Sequence, residues 1–153
     1  MKTILAPVDF SPVTQRVVAA AAALARAVDG RVVLLNVAQP VALVADYTAF
    51  LDNIAEVNDL VTRAAKRQLL KFAGRLKATF DRVEAVQLTG PPVPFVLDQA
   101  KRLHADYIVI GSHGHTAFYE LLVGGTANGI LKHATCPVLV VPPARKPVKA
   151  KRR

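Results

Sequence analysis

The sequence predicts a doubly wound α/β fold, a parallel sheet with helices on both faces. Apolar runs of strand length alternate along the chain with amphipathic stretches of helical period. The run RVVLLNV (31–37) is apolar without alternation, as a parallel strand covered on both faces requires. The chain has 153 residues, 52% of them hydrophobic, enough for one domain that buries about two-thirds of its unfolded surface.

The elements follow in order. Residues 2–8, KTILAPV, make the first strand, which ends at Asp9. Ser11 is the expected N-cap of the first helix and Pro12 suits its first position, with Val17, Ala21, Leu24 and Val28 recurring every three or four residues. Asp29-Gly30 stops that helix ahead of the second strand, 31–37. Residues 38–55 have weak periodicity. From Val57 a long helix is expected to bury Val57, Val61, Ala65, Leu69, Phe72, Leu76 and Phe80 on one face. Arg63, Lys66, Arg67, Lys71, Arg75 and Lys77 fall mostly off that face, as a wet helix surface.

VEAVQL (83–88) is a half-alternating third strand, followed by a turn at Gly90-Pro91-Pro92. Val93, Val96, Leu97, Ala100 and Leu103 mark the third helix, and DYIVI (106–110) is a strand that runs straight into Gly111. A glycine-rich segment, 111–125, leads to a last helix around 126–133, and PVLVV (137–141) is a final strand closed by Pro142-Pro143. This gives one domain over 1–143 and a basic tail, 144–153, expected to be disordered.

The net charge of +9 is largely a property of that tail, whose six basic residues leave +3 on the rest of the chain. A solvated tail accounts for it, and with no aromatic or groove-reading element a nucleic-acid partner is not expected. No apolar run reaches the roughly 20 residues of a membrane-spanning helix. The opening MKTILAPVDFS is too short for a signal-peptide core. The single cysteine, Cys136, cannot form an internal disulfide and is expected to be a buried, inert thiol. A cytoplasmic protein without a membrane partner is the expectation.

In open α/β sheets, ligands bind beyond the carboxyl ends of strands, where strand order reverses. Two strand ends carry unusual residues: Pro7-Val8-Asp9-Phe10-Ser11 after the first, and Gly111-Ser112-His113-Gly114 after the fourth. Gly124-Gly125-Thr126 then opens the last helix. Glycines let backbone N–H groups approach phosphate oxygens, a helix N-terminus adds positive potential, and a carboxylate opposite can accept from ribose hydroxyls or hold hydrated Mg²⁺. Plain turns and a helix-capping Asp explain the same residues without a ligand. GxxxxGK[ST] and GxGxxG are both absent.

The stretches ILAPVDFS, LLNV and IGSHGHTAFYELLVGGTANGILKHATCPVLVV resemble the universal stress protein family from residue 1 to about 142. The nucleotide-binding pattern of that family, G-x2-G-x9-G-[ST], is met by Gly111, Gly114 and Gly124, with Gly125 where Ser or Thr is usual. The resemblance implies a five-stranded sheet of order 3-2-1-4-5, adenine-nucleotide alpha-hydrolase-like, with ATP or AMP, and with it Mg²⁺, at the switch point between strands 1 and 4. It further implies that Asp9 contacts ribose or metal, Pro7 walls the adenine and the Val37 backbone bonds it. Gly111, Gly114, Gly124 and Gly125 would cradle phosphates and ribose. Val8, Ser112, His113, His115 and Thr126 complete the expected lining. Strand 137–141 would pair with its copy in a homodimer, and an unidentified protein partner would read the nucleotide state.

Other chemistries fit less well. His113 and His115 supply two metal ligands where zinc needs at least three, so no metal site is expected. Ser112 and His113 are sequence neighbours, which rarely face each other as nucleophile and base. Asp9 as a phosphoacceptor lacks an acidic cluster and a partner lysine. No catalytic residue is therefore assigned, and the expected function is a nucleotide-responsive stress regulator. The alternatives are a nucleotide-free homodimer acting through protein contacts, or a slow ATPase or autophosphorylating protein.

Overall fold

The computed structural model describes residues 1–40, 54–112 and 123–144. Strands β1 (Lys2–Pro7), β2 (Gly30–Ala38), β3 (Val83–Thr89), β4 (Tyr107–Gly111) and β5 (Val138–Val141) alternate with helices α1 (Thr14–Ala27), α2 (Ile54–Lys77), α3 (Pro92–Arg102) and α4 (Gly125–His133). The strands form one parallel sheet of order β3-β2-β1-β4-β5, the order that the resemblance implied.

Side chains alternate across the strands and build a core on each face. Ile4, Ala6, Val32, Leu34 and Val109 pack under α1 and α2 with Val17, Ala21, Ala25, Leu69 and Leu76. Leu5, Val33, Leu35, Ile108 and Ile110 pack under α3 and α4 with Val96, Ala100, Ala127 and Ile130. The central strands β1, β2 and β4 are therefore apolar on both sides, which is why the 31–37 run showed no alternation. The edge strand β3 is only half-buried, in keeping with its mixed sequence.

Two local expectations are corrected. The N-cap of α1 is Val13, not Ser11, and it supplies no side-chain cap. Asp9 instead ties the turn that leads into the helix: its Oδ1 accepts from the Ser11 N–H at 3.0 Å and from the Thr14 hydroxyl at 3.4 Å. Ser11 Oγ is buried without a hydrogen-bond partner. The second correction concerns α2. Leu69, Leu76 and the following Phe80 are buried as expected, but Val57 and Val61 are exposed. The 24 residues of α2 span about 36 Å, whereas the seven of β3 span about 23 Å, so the N-terminal half of the helix runs past the sheet that would cover it.

The Asp29-Gly30 stop is built as the sequence suggested. Asp29 takes a left-handed φ of 50°, and a Cβ on Gly30 would lie 2.5 Å from Ile4 Cδ1 and 2.8 Å from the Lys2 carbonyl oxygen. Only glycine fits where the helix turns into β2 beside β1. The basic tail lies outside the described residues apart from its first member, Ala144. No helix among the described residues is long and apolar enough to cross a membrane.

Candidate functional site

Hydrogen bonding of the strand ends opens a crevice at the point where strand order reverses. The β1–β4 register extends only through Ile4↔Tyr107 and Leu5↔Ile108. Beyond it the Val8 N–H donates to the Leu35 carbonyl of β2 at 2.8 Å, and the Ser112 N–H donates to the Val141 carbonyl of β5 at 2.9 Å. Pro7 has no N–H to donate. The end of β1 thus stays with β2 and the end of β4 with β5, so the two part from each other.

The cavity between them measures about 330 Å³, at the small end of pockets that take small molecules. Its floor is apolar, from Leu35, Val37, Val13, Val17, Val96 and Ile110. Its polar lining comes from Asp9 and buried Thr14 by β1 and α1, and from Ser112, Gly124, Gly125 and Thr126 by β4 and α4. Among the expected site residues, Pro7, Val8, Asp9, Val37, Gly111, Ser112, Gly124, Gly125 and Thr126 all line this one cavity. His113, Gly114 and His115 lie outside the described residues.

Each side of the rim is set by its own local chemistry. Phe10 holds a left-handed φ of 61° and its ring stacks on Phe72 of α2 at 6.1 Å between centroids. That contact fixes the sharp turn that carries Asp9. The Val8 carbonyl accepts from the buried Asn36 Nδ2 at 2.9 Å. Gln87 Nε2 in turn donates to Asn36 Oδ1 at 3.4 Å and to the Thr62 carbonyl of α2 at 3.0 Å.

On the opposite side, the Gly124 N–H donates to the Ser112 carbonyl at 2.8 Å, drawing together the two ends of the glycine-rich segment. Gly124 is the N-cap of α4 and has no side chain to cap it. Gly124 thus offers no capping side chain to the first-turn N–H groups of α4 at the cavity rim, a suitable place for an anion. A Cβ on Gly125 would meet nothing within 4 Å, so the approach to these amides is open. These features fit a phosphate at α4 and a polar hydroxyl-bearing group near Asp9.

Several lining residues were missed by sequence reasoning: Val13, Thr14, Val17, Leu35, Gln39, Pro92, Val96, Ile110 and Ala127. Gln39 had a readable signal, being the first residue beyond a central strand. Leu35 and Ile110 lie on β2 and β4, and the rest lie at helix starts or on helix faces whose orientation only the packed structure gives. Among the described residues no group of three His, Cys, Asp or Glu side chains is placed to hold a metal ion. Cys136 is half-buried rather than buried, and burial raises its thiol pKa above the ordinary value, with a further push from Asp106.

Fold and crevice together define a three-layer, doubly wound α/β protein with a cavity at the β1/β4 switch point. The chain belongs to the universal stress protein family, which it matches over residues 1–142. It is 32% identical to universal stress protein A homolog 1 of Coxiella burnetii over 142 residues, 92% of this chain and 95% of that protein. Among solved structures it is similar to UspA of Lactobacillus plantarum, with TM-score 0.79 and 26% identity, covering 92% of this chain and 97% of that one. More distant neighbours share the fold, and two of those were solved with ligands. One universal stress protein is in complex with cAMP (TM-score 0.67, 22% identity, covering 94% and 98%). Another, from Archaeoglobus fulgidus, is in complex with dAMP (TM-score 0.62, 20% identity, covering 92% and 97%).

Proposed function

We propose that this chain binds an adenine nucleotide, ATP or AMP, in the β1/β4 crevice and acts as a nucleotide-responsive regulator. The observation that carries the reading is the N-terminus of α4, whose N-cap Gly124 supplies no side chain, at the edge of a largely apolar cavity that Asp9 also lines. The adenine lies on the Val37 and Pro7 side, the ribose near Asp9, and the phosphates at Gly124, Gly125 and Thr126. Asp9, the one carboxylate among the described lining residues, would help hold any hydrated Mg²⁺ that came with the phosphates. The nucleotide complexes of family relatives support the same class of ligand.

The lining among the described residues holds no lysine or arginine to stabilise transferred charge, which favours holding a nucleotide over hydrolysing it. The cytoplasm, which supplies both ATP and AMP, is the compartment this reading requires. The exposed edge strand β5, where Leu139 is 44% exposed, pairs with a second copy in this reading, leaving nucleotide occupancy to change affinity for a further protein. A nucleotide-free dimer is the second reading, favoured by Gly125 where Ser or Thr is usual.

Thermal melting in Mg-ATP and in AMP separates the two. A nucleotide at about 100 times its Kd adds about 2.7 kcal/mol to stability. Gly125→Trp, which fills the open space at the rim, should abolish that shift while leaving the free protein folded. A shift retained in Gly125→Trp places the ligand elsewhere, and no shift at millimolar nucleotide in the wild type leaves the nucleotide-free reading standing.

A further inference from the structure

Between residues 63 and 77, α2 carries Arg63, Lys66, Arg67, Lys71, Arg75 and Lys77 and no carboxylate. All six are exposed. Arg63 pairs with Asp59 one turn back, and the other five have no ion pair among the described residues. Arg63, Arg67, Lys71 and Arg75 follow one another at four-residue intervals, so they form a row along the helix with about 6 Å of axial rise between members. Like charges four residues apart on a helix repel and cost it stability. Solubility alone is served as well by mixed signs, so this unbroken row calls for an anionic surface to offset its repulsion.

The outward half of the helix also bears Leu70, 54% exposed, among these cations, and Leu60, 65% exposed, one residue after Asp59 at the acidic start of the helix. Leu70 sits between the Lys66–Arg67 pair and Lys71, and Gly74 one turn on adds no side chain, with open space where its Cβ would be. Leu69, Ala73 and Leu76 bury the inner face and hold the helix side-on against the sheet. A fixed helix whose free face mixes cations with exposed leucines suits the boundary of an anionic bilayer, where headgroups meet the charges and the leucines enter the interface. Nucleic acid fits less well. Phe72 packs inward, the outward face offers no aromatic ring to a base, and the two leucines have nothing to do on a phosphate backbone.

We propose that the outer face of α2 is a docking surface for an anionic lipid membrane. The test is sedimentation of the full chain with phosphatidylcholine vesicles, with and without phosphatidylglycerol. Binding should require phosphatidylglycerol and weaken with salt. Each basic residue near such a surface is worth roughly fivefold in partition, so Arg67→Glu/Lys71→Glu/Arg75→Glu should lower partition at least about 100-fold without changing the melting temperature materially. Leu60→Ser/Leu70→Ser should lower it several-fold with the charges intact. The basic tail provides the control: Lys149→Glu/Lys151→Glu/Arg152→Glu should retain the dependence on α2. The proposal is overturned by absence of binding to phosphatidylglycerol vesicles, or by loss on tail reversal with the α2 variant unaffected. It is equally overturned if the leucine variant binds vesicles as the wild type does, or if single-stranded nucleic acid competes away the vesicles through the same row.

Discussion

The residue after the third loop glycine is Gly125, where the nucleotide-binding pattern of the family carries a hydroxyl. Gly125 is the first residue of α4 and lines the cavity, and a Cβ there would touch nothing within 4 Å. Gly125→Ser therefore adds its Cβ in open space and brings an Oγ to the cavity lining. With a phosphate at the α4 N-terminus, that hydroxyl gains one hydrogen bond to a charged acceptor. Such a bond contributes about 1.5–3 kcal/mol, or about 10- to 150-fold in Kd. Replacing glycine also changes the stability of the free protein by up to about 1 kcal/mol, so the free variant must be melted alongside.

The assay is calorimetric titration of wild type and Gly125→Ser with AMP, Mg-ATP and adenosine. The phosphorylated ligands should tighten within that range, and adenosine, with no phosphate to meet the new hydroxyl, should be unchanged. An equal gain for adenosine would mean that the hydroxyl meets the nucleoside. No gain for any ligand would refute the placement of the phosphate at α4.

The remaining predictions concern stability. Ser11→Ala separates two readings by sign: an N-cap would lose about 0.5–2 kcal/mol, whereas the buried, unpartnered hydroxyl predicts a gain of about 1 kcal/mol in urea unfolding. Gly74→Ala, in the exposed interior of α2 with open space around its Cβ, should stabilise by about 0.5–1 kcal/mol in the same assay, and a loss would mean that the helix is interrupted there. Asp106 is held below the usual carboxylate pKa by the Lys2 ammonium, which donates to Oδ1 at 2.8 Å, and by the Thr3 N–H, which donates to Oδ2 at 2.8 Å. A folded-state pKa below the unfolded one gives stability that is full above about pH 4 and is lost as pH falls through the folded value. Asp106→Asn should flatten the acid limb of stability against pH, and an unchanged limb would assign the acid loss to other carboxylates.

The sheet and its helices were legible because each central strand must be apolar on both faces and each helix must repeat its apolar positions at 3.6. Local competition was less visible. Asp9 and Ser11 are both good capping residues two positions apart, and sequence alone favoured Ser11 because Pro12 follows it. Neither caps α1: with Phe10 left-handed, the Ser11 N–H donates to the Asp9 carboxylate ahead of the helix, which then starts after Val13. Val57 and Val61 kept the helical period of a buried face, but period reports direction and not reach, and the helix outruns β3. The strand-end rule pointed to the cavity's two rims. Asn36 carried no comparable mark, because an asparagine inside LLNV gains meaning only when the β1–β2 register sets its amide against the Val8 carbonyl.

Three helix N-termini, those of α1, α3 and α4, line this cavity, and the difference between α1 and α4 would give a nucleotide bound as proposed its direction. Just ahead of α1 the Asp9 carboxylate accepts from the Ser11 N–H and from the hydroxyl of Thr14, the first residue of the helix, so negative charge already stands beside its positive end. Gly124 gives α4 no such carboxylate. A polyphosphate is therefore repelled at the α1 side and drawn to the α4 side, while hydroxyl donors are favoured beside Asp9. The apolar floor of Leu35, Val37 and Ile110 lies between and takes the flat, uncharged part of the ligand. The selectivity expected of the crevice follows from that asymmetry: it discriminates by where along the ligand the negative charge lies, so nucleoside phosphates should bind in preference to nucleosides or free phosphate alone.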